Sequence, residues 1–459
     1  MGDDVVRYRL YPHILLSAKD KAVTRILIDG RNLGLEKGTG VATYARNLSH
    51  ELHAMGHGVE VLYGYAAGPS RNKLMREIAF FDANHGDRDR IAAAIEAVRS
   101  RMLGPLGKHA FDVPISGRVV SRTFSARLPY FDRIVNSPNI FGRSHNAFRS
   151  WKMLTRLSME NKPDIAHWTY PLPIRLKGRP NVYTMHDVVP LKLPYTTLDN
   201  KRFYLRLMKR IARTADHIVT VSECSKRDLV ELVGIPEQRI TNTYQSVDIP
   251  EKFLAKPDED VAREVEGAVG VDYKGYYLFW GSIEPKKNIG RMIEGYLASK
   301  VDAPLVIVGA MAWKSDEELR LLNEENIVFR RTIENDEFTR KRVMILPYAP
   351  FSLLVSLIRG ARATLFPSIY EGFGLPVLEA MLLGTPVISS NTSSLPEVAA
   401  DAAMLVDPYD TTAIARAIRA MDADPALRAD YAARGRIQAA KFSREAYRAR
   451  LAQVYAGLS

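Results

Sequence analysis

The stretch TLFPSIYEGFGLPVLEAMLLGTPVISSNTSSLPEV, residues 364–398, decides the fold of this chain. An apolar run that ends at Ser368 is typical of a buried strand, and a loop with two glycines follows it. The next segment predicts a helix that begins at Leu375, because a proline in the first turn loses no hydrogen bond. Gly384 then ends that helix, and PVISS predicts another strand. Strand, glycine loop, helix and strand together predict a parallel α/β sheet.

The loop and the start of the helix carry residue types that suit a phosphate and the hydroxyls of a sugar. Gly372 and Gly374 let the backbone approach a ligand closely, and the helix N-terminus offers unpaired N–H groups and a positive dipole end. Glu371 and Glu379 can each accept hydroxyls of a sugar or a ribose. A turn residue and a surface charge would explain two isolated glutamates equally well, but this strand, loop and helix setting favours a binding site.

The same alternation of strands and helices runs through both halves of the chain. In the N-terminal half, RILIDG (25–30) precedes the loop EKGTG (36–40), an amphipathic helix and the strand GVEVLYGY. A second series begins at YYLFWGS, after a Pro- and acid-containing segment. The pattern predicts two facing Rossmann-like domains with a ligand cleft between them. We assign residues 1–250 to an N-terminal domain, 251–274 to a linker, 275–442 to a C-terminal domain and 443–459 to a C-terminal helix.

Residues 66–160 interrupt this alternation and are rich in arginine. They hold 16 Lys and Arg against 8 Asp and Glu, in a chain whose formal net charge is +12. We interpret them as a basic insertion in the N-terminal domain. Such a surface suits an anionic membrane, a nucleic acid or an anionic small molecule, and an ordinary solvated face is the simpler alternative. No zinc-finger, RNP-like or homeodomain-like pattern accompanies the charge, so we do not expect a nucleic-acid partner.

Cysteine content and hydropathy indicate a protein of the reducing cytosol. Cys224 is the only cysteine, which excludes an intrachain disulfide and a cysteine cluster for zinc. No run approaches the roughly 20 apolar residues that span a bilayer, and the acidic start of the chain argues against a secretory signal. Asp-x-Asp strings begin at residues 87, 258 and 422, but in helical or linker settings rather than at strand ends. We therefore expect no metal site and no cofactor.

Further segments carry candidate site residues. In WGSIEPKKNIG, Lys287 precedes a helix that begins near Asn288, where a cation can neutralise a departing diphosphate. The adjacent Lys286 is better explained as a solvated surface side chain. Gly40 follows the first strand in a loop that an ordinary strand–helix turn would also explain. His186 lies just past the strand of NVYTMHD, where a histidine is more often structural than catalytic.

Together these segments resemble the retaining glycosyltransferases of family 4, which have the GT-B fold. The resemblance rests on EGFGLPVLE and covers most of the chain from about residue 25 to 455, without 66–160. It implies that Glu371 lies beside the transferred sugar, that Glu379 holds the ribose hydroxyls, and that a C-terminal helix crosses back to the N-terminal domain. It also implies donor binding by the backbone amides of four loop residues, namely Gly372, Phe373, Gly374 and Leu375.

The resemblance also assigns the remaining candidates. It places Lys287 and Gly40 at the donor phosphates, on opposite sides of the cleft, and His186 beside the sugar. Ser282 stands at a donor-binding position where many members carry an arginine, which leaves Lys287 as the chief cation. His167, in DIAHW, is a weaker candidate that either lines the acceptor side or is simply packed.

The implied reaction is metal-independent transfer of a hexosyl group with retention of configuration. Glu371, His186 and Lys287 would form the catalytic set, and the departing phosphate oxygen would take the acceptor's proton. The string GSIEPKKN, together with RILIDGRNL and GTGVATYARNL near the start of the chain, resembles bacterial mannosyl- or deoxyhexosyl-transferases of polysaccharide assembly. This resemblance implies GDP-mannose, or a GDP-sugar derived from it, as the donor, and UDP- and dTDP-sugars are the alternatives.

The expected acceptor is a growing lipid-linked glycan of lipopolysaccharide assembly. We expect the protein in the cytoplasm at the inner face of the plasma membrane, with the basic residues 66–160 against anionic lipid. A sugar-nucleotide epimerase and an inactive binding scaffold, both of the same fold, are the alternative functions.

Overall fold

The computed structural model describes residues 23–33, 40–82, 107–116, 119, 129–311, 315–323, 328–333 and 336–458. Within these residues the chain forms two α/β domains, each built on a largely or wholly parallel sheet. The central strands are short and fully buried, as strands covered by helices on both faces must be. The two predicted Rossmann-like domains are confirmed.

Ten strands form the sheet of the N-terminal domain. They are β1 (Arg25–Asp29), β2 (Gly58–Tyr63), β3 (Lys108–Val113), β4 (Arg133–Asn136), β5 (Thr155–Met159), β6 (Ile165–Trp168), β7 (Ile174–Leu176), β8 (Asn181–Thr184), β9 (His217–Thr220) and β10 (Ile240–Asn242). Their order across the sheet is β10-β9-β8-β6-β1-β2-β4-β3-β5-β7, and among these described strands only β3 and β4 pair antiparallel. The carboxyl ends of β1, β6 and β8 therefore lie side by side at one edge.

Six α-helices belong to the N-terminal domain in the described part of the chain. They are α1 (Gly40–Ala54), α2 (Lys73–Asp82), α3 (Ile140–Trp151), α4 (Val189–Lys192), α5 (Lys201–Thr214) and α6 (Glu223–Asp228). Helix α1 follows β1 and packs on the sheet through Tyr44, Leu48 and Leu52, the apolar stripe that its sequence predicts.

The C-terminal domain has a parallel six-stranded sheet and a separate hairpin. The strands are β11 (Tyr277–Trp280), β12 (Leu305–Val308), β13 (Val328–Ile333), β14 (Asp336–Lys341), β15 (Val343–Leu346), β16 (Ala363–Phe366), β17 (Val387–Ser390) and β18 (Met404–Val406). The sheet order is β15-β12-β11-β16-β17-β18, whereas β13 and β14 pair only with each other.

The remaining helices cover the C-terminal sheet or leave it. They are α7 (Glu251–Leu254), α8 (Asp258–Val269), α9 (Ile289–Ser299), α10 (Ser315–Glu318), α11 (Phe351–Gly360), α12 (Leu375–Leu382), α13 (Leu395–Ala399), α14 (Thr411–Ala423), α15 (Pro425–Ala440) and α16 (Arg444–Ala456).

The structure differs from the interpretation of residues 66–160 as an insertion. Strand β4, which lies inside that range, pairs in parallel with β2 and is an integral part of the N-terminal sheet. Its Arg133 forms ion pairs with the buried Glu60 and with Asp112, so part of the basic charge is used internally. The arginine-rich composition of this range did not indicate a short strand. The charge of Arg133 in that strand is paired within the protein and is not presented to a ligand.

The predicted linker also differs from the structure, because residues 251–274 contain α7 and α8. Val261 and Val265 of α8 are fully buried, and Arg359 of α11 donates to Asp258 at 2.7 Å. These contacts place α8 on the C-terminal domain. The acidic first turn of α8, which looked like a linker in the sequence, lies at a helix N-terminus where carboxylates are stabilised.

The C-terminal helix α16 crosses back to the N-terminal domain, as the resemblance implied. Its Arg444 and Arg448 lie 2.5 and 2.7 Å from the two carboxylate oxygens of Glu51 in α1. Glu51 is 2% exposed, so the two cations neutralise an otherwise costly buried charge. This prediction is confirmed.

Within the described residues, membrane-spanning helices and metal-binding clusters are both absent. No helix in those ranges is long and apolar enough to cross a membrane. No three His, Cys, Asp or Glu side chains within the same ranges are grouped so that they could hold a metal ion.

Candidate active site

The candidate site lies where the carboxyl ends of the two sheets face each other. In the C-terminal domain, Glu371 follows β16, Lys287 follows β11, and α12 begins at Leu375. In the N-terminal domain, His186 follows β8 and α1 begins at Gly40. A Cβ placed on Gly40 would lie 4.0 Å from Leu375 Cδ1, so the first turns of α1 and α12 approach each other across the domain boundary. The rest of the loop EKGTG, residues 36–39, lies outside the described residues.

Glu371 and Lys287 form an ion pair in this cleft. Lys287 Nζ lies 2.5 Å from Glu371 Oε1, and each side chain is only 11% exposed. Burial by itself would raise the pKa of Glu371, but the charges of Lys287 and Lys286 outweigh it, so the pKa lies below its ordinary value of 4.5. Glu371 is therefore an anion at neutral pH, held by a charge-assisted hydrogen bond.

Lys286 belongs to the site rather than to the solvated surface. Its side chain is 19% exposed, and its Nζ lies 3.7 Å from Glu284 Oε1. Burial by itself would lower the pKa of Lys286, but the charges of Glu371 and Glu284 outweigh it, and the pKa lies above its ordinary value. The exposed Ser282 donates from its Oγ to the same Glu284 oxygen at 3.1 Å. Two lysine cations, rather than Lys287 alone, therefore lie near Glu371.

Asn288 fixes the turn that presents both lysines. Its backbone has a φ of 62°, a left-handed conformation that asparagine tolerates. Its buried Nδ2 donates to Pro367 O at 2.9 Å and to Pro408 O at 2.7 Å. Because Pro367 directly follows β16, these bonds tie the lysine turn to the loop of Glu371. In the sequence Asn288 looks only like the start of a helix, and this role depends on partners 79 and 120 residues away.

Glu379 is half-buried in the second turn of α12. Trp280 Nε1–H donates to Glu379 Oε2 at 2.9 Å. Burial raises the pKa of Glu379 to about 7, and the bond from Trp280 and the charge of Lys287 offset only part of that effect. A carboxylate that accepts one hydrogen bond from a tryptophan can still accept hydrogen bonds from the hydroxyls of a ligand. Trp280 was not among the predicted residues, because nothing local to the sequence joins it to Glu379.

The loop before α12 presents main-chain amides at the helix N-terminus. Gly374 has a φ of 109°, and a Cβ there would lie 2.8 Å from Leu395 Cδ2, so glycine is required. None of the amides of residues 372–375 donates a hydrogen bond to a residue that the structure describes. Together with the dipole of α12, these amides form a site that can bind an anion. The ring of Phe373 packs against Phe442 at a centroid distance of 5.6 Å, so only its main chain is left for a ligand.

His186 is held in one tautomer on the N-terminal side of the cleft. Its Nε2–H donates to Thr169 O at 2.9 Å, and its ring stands edge-on to Tyr44 at 4.7 Å. Burial lowers the pKa of His186 more than the Thr169 carbonyl and the charge of Asp187 raise it. The ring is therefore neutral at pH 7, and Nδ1 is the nitrogen that can accept a hydrogen bond.

The loop of Glu371 contacts the N-terminal domain directly. A Cβ on Gly372 would lie 2.8 Å from His186 O, so only glycine permits this approach. Ser222 Oγ donates to Gly372 O at 2.7 Å and accepts from Ser225 N at 3.0 Å as the N-cap of α6. These contacts hold Glu371 and His186 in one constellation.

Two further contacts across the boundary involve residues that the sequence did not reveal. Tyr370 donates its hydroxyl to Asp228 Oδ2 at 2.5 Å. Glu397 accepts from the amides of Glu223 and Cys224 at 2.7 and 3.1 Å, so a C-terminal carboxylate caps the N-terminus of α6. The partners are 142 to 174 residues apart, and no local pattern indicates such pairs.

His167 lies inside the N-terminal domain rather than at the cleft. It is fully buried, its Nδ1 lies 2.5 Å from the Tyr455 hydroxyl, and its Nε2 lies 2.8 Å from Thr184 Oγ1. Burial lowers its pKa to about 3, so the ring is neutral. Both ring nitrogens are occupied, and this placement argues against contact with an acceptor. Of the two readings of the sequence, packing in the core is the one that fits.

Two protein-family models match the chain. The model for glycosyl transferases group 1 matches residues 268–438, and the model for glycosyltransferase family 4 matches residues 115–250. The first contains Lys287, Glu371 and Glu379, and the second contains His186. The second model begins inside the supposed insertion, in agreement with the placement of β4.

Similar proteins include bacterial mannosyltransferases. O-antigen chain mannosyltransferase B of Escherichia coli is 33% identical over 285 residues, which cover 60% of this chain and 69% of that protein. Serotype-specific mannosyltransferase WbdA of Escherichia coli is 30% identical over 268 residues, 57% of this chain. The alignment spans only 31% of the length of WbdA.

Solved structures share the fold at lower sequence identity. Sucrose-phosphate synthase from Thermosynechococcus elongatus matches with a TM-score of 0.62 and 19% identity, over 95% of this chain and 99% of that one. HepE from Anabaena, in complex with UDP-glucose, matches with a TM-score of 0.60 and 15% identity, over 95% of this chain and 100% of that one. These matches confirm the GT-B architecture.

Proposed function

The chain belongs to the glycosyltransferases that the group 1 and family 4 models describe, and from that premise we propose that it transfers a hexosyl group from a nucleotide-diphosphate sugar with retention of configuration. The ion pair of Lys287 and Glu371, at the start of α12 and opposite Gly40, is the observation that carries the proposal. It combines a cation for the leaving diphosphate with an anion for the sugar in one largely buried place.

The leaving group would be stabilised by cations and amides. As the bond between the sugar C1 and the phosphate oxygen breaks, its electron pair moves onto the diphosphate. Lys287, Lys286 and the amides of residues 372–375, which donate to no residue that the structure describes, would stabilise that growing charge. These groups are the basis for proposing a reaction that needs no metal ion.

The sugar and the nucleotide would be held by the carboxylates and the histidine. Glu379 accepts the ribose hydroxyls, and Glu371 and neutral His186 orient the sugar and stabilise the positive charge on its ring. The acceptor hydroxyl attacks C1 from the face that the phosphate leaves, and its proton passes to the departing phosphate oxygen. One glycosidic bond forms as one sugar–phosphate bond breaks.

The proposed donor is GDP-mannose, and the proposed acceptor is a growing lipid-linked glycan. The similarity to O-antigen chain mannosyltransferase B supports mannose as the sugar and surface polysaccharide as the product. The UDP-glucose complex of the more distant HepE is the reason to include UDP-sugars in any test. A cytoplasmic position at the inner face of the plasma membrane follows from such an acceptor.

The test is a product analysis with the purified chain. GDP-mannose, UDP-glucose and a dTDP-sugar are each incubated with and without an acceptor glycan, and products are resolved by mass spectrometry and NMR. We expect an α-linked mannosyl product from GDP-mannose and no product from the Glu371→Ala variant. An altered nucleotide sugar would indicate an epimerase, and binding without turnover would indicate an inactive scaffold. Either outcome would refute the proposal.

A further inference from the structure

Helix α5 carries a stripe of exposed cations along one face. Its sequence KRFYLRLMKRIART contains six lysines and arginines and no acidic residue. Four of them are exposed at spacings of four, three and four residues, which puts them on one side of the helix; we call this set the α5 stripe: Arg202, Arg206, Lys209 and Arg213. The stripe extends about 16 Å along the surface. None of its members forms an ion pair within the described residues.

The C-terminal end of α3 extends this surface. A cavity of about 190 Å³ lies between α3 and α5, and cations from both helices line it beside two phenylalanine rings: Arg149, Lys152, Arg202, Arg206, Phe148 and Phe203. Between residues 188 and 215 the chain has seven lysines and arginines and one acidic residue, the exposed Asp199. The local field is therefore strongly positive.

Large exposed apolar side chains lie near these cations in the sequence. Trp151 is 50% exposed and Met153 is 41% exposed, on either side of Lys152 in the chain. Leu198, shortly before α5, is 76% exposed. Cations interspersed with an exposed tryptophan and aliphatic side chains are typical of a surface that meets lipid headgroups and the outermost part of the acyl chains.

Helix α5 reaches the N-terminal side of the cleft through the face opposite the stripe. Tyr204 of α5 donates its hydroxyl to Asp187 O at 2.9 Å, and Asp187 directly follows His186. A planar partner that lies on the α5 stripe would therefore be about one helix diameter, ~10 Å, from the segment that carries His186.

We propose that the α5 stripe, the end of α3 and Trp151 form a docking surface for a bilayer that contains anionic phospholipids. The extended row of cations matches an array of headgroups better than one phosphate, and the exposed apolar side chains match a lipid interface better than a nucleic acid. The inference deepens the proposed function by naming the membrane partner of a lipid-linked acceptor. It also shifts the predicted contact from residues 66–160 as a whole to α5, outside that range, and the end of α3.

The test measures flotation of the full chain with vesicles of phosphatidylcholine alone and with vesicles that also contain phosphatidylglycerol. The stripe variant is Arg202→Gln/Arg206→Gln/Lys209→Gln/Arg213→Gln. The control variant removes the same charge from exposed sites of the C-terminal domain: Arg263→Gln/Arg320→Gln/Arg416→Gln/Arg419→Gln. Trp151→Ala tests the apolar contribution, and melting curves check that each variant is folded.

We expect the parent chain to float only with anionic vesicles and the stripe variant to lose at least about tenfold in partition coefficient. The control variant should float like the parent. Equal flotation of the stripe variant and the parent would overturn the proposal, as would binding of an oligonucleotide or pyrophosphate in place of vesicles. Transfer to a soluble acceptor, assayed in parallel, should be unchanged in the stripe variant, so a failure of the proposed function is seen separately.

Discussion

Replacing Lys287 with methionine removes the charge next to Glu371 and keeps most of the volume of the side chain. In the parent chain Lys287 Nζ lies 2.5 Å from Glu371 Oε1, and both side chains are 11% exposed. Loss of one partner of a buried ion pair costs about 3–5 kcal/mol, and because Lys286 remains near Glu371 we expect about 2 kcal/mol here. For a domain of this size that loss corresponds to a fall in melting temperature of roughly 5 °C.

The loss of stability should depend on pH in a defined direction. In the parent chain the pKa of Glu371 is lowered, so its contribution is present above pH 4.5 and is lost as the pH falls through the folded-state value. Without Lys287, burial dominates and raises the pKa of Glu371. The variant should therefore be less stable than the parent at pH 7 and nearly as stable as the parent at low pH, which thermal melts across that range would show.

The double variant Lys287→Met/Glu371→Gln separates folding from catalysis. It leaves no unpaired buried charge, so most of the stability should return. Transfer should not return, because a cation near the leaving phosphate is worth about 10²–10³ in kcat, judged from the loss of one transition-state donor. The reasoning fails if the single variant melts like the parent and turns over normally, or if the double variant recovers transfer.

Three further outcomes follow from other contacts. Burial raises the pKa of Glu379 to about 7. The affinity for the nucleotide, measured by calorimetry, should therefore increase between pH 6 and 8 as the carboxylate forms. In the Glu379→Gln variant the affinity should be weaker and independent of pH. In Gly372→Ala the new Cβ would lie 2.8 Å from His186 O, and we expect kcat to fall about tenfold or more, whereas Gly142→Ala, with nothing within 4 Å, should be neutral. Burial lowers the pKa of His167 to about 3, so the stability of the parent chain should decrease as the pH falls below 6.5. The His167→Leu variant should lack this pH dependence of stability and should still hydrolyse the donor.

The sequence determined the fold class and the main site residues, because both depend on local order. Short apolar runs separated by glycine loops predict parallel strands, and the residues that follow such strands come together at one edge of a sheet. Glu371 and Lys287 were found for this reason, whereas Gly40 and His186 were assigned through the family resemblance, and the structure places all four at the cleft. The glycines at 372 and 374 also indicate their role in the sequence. Gly374 has a positive φ, and Gly372 lies too close to the backbone of His186 to accept a side chain.

Tertiary structure alone decided how those residues are paired and charged. The bond of Trp280 to Glu379 joins residues 99 apart, the contact of Ser222 with Gly372 joins residues 150 apart, and the pair of His167 and Tyr455 joins residues 288 apart. The burial of a side chain and the identity of its partners are decided only when distant elements pack together. They determine whether a histidine faces the cleft or the core. They also determine whether a lysine is a surface charge or part of a site. For the same reason the sequence misplaced β4 and α8 and treated Lys286 as solvated, because local composition does not show which charges will be buried beside an opposite one.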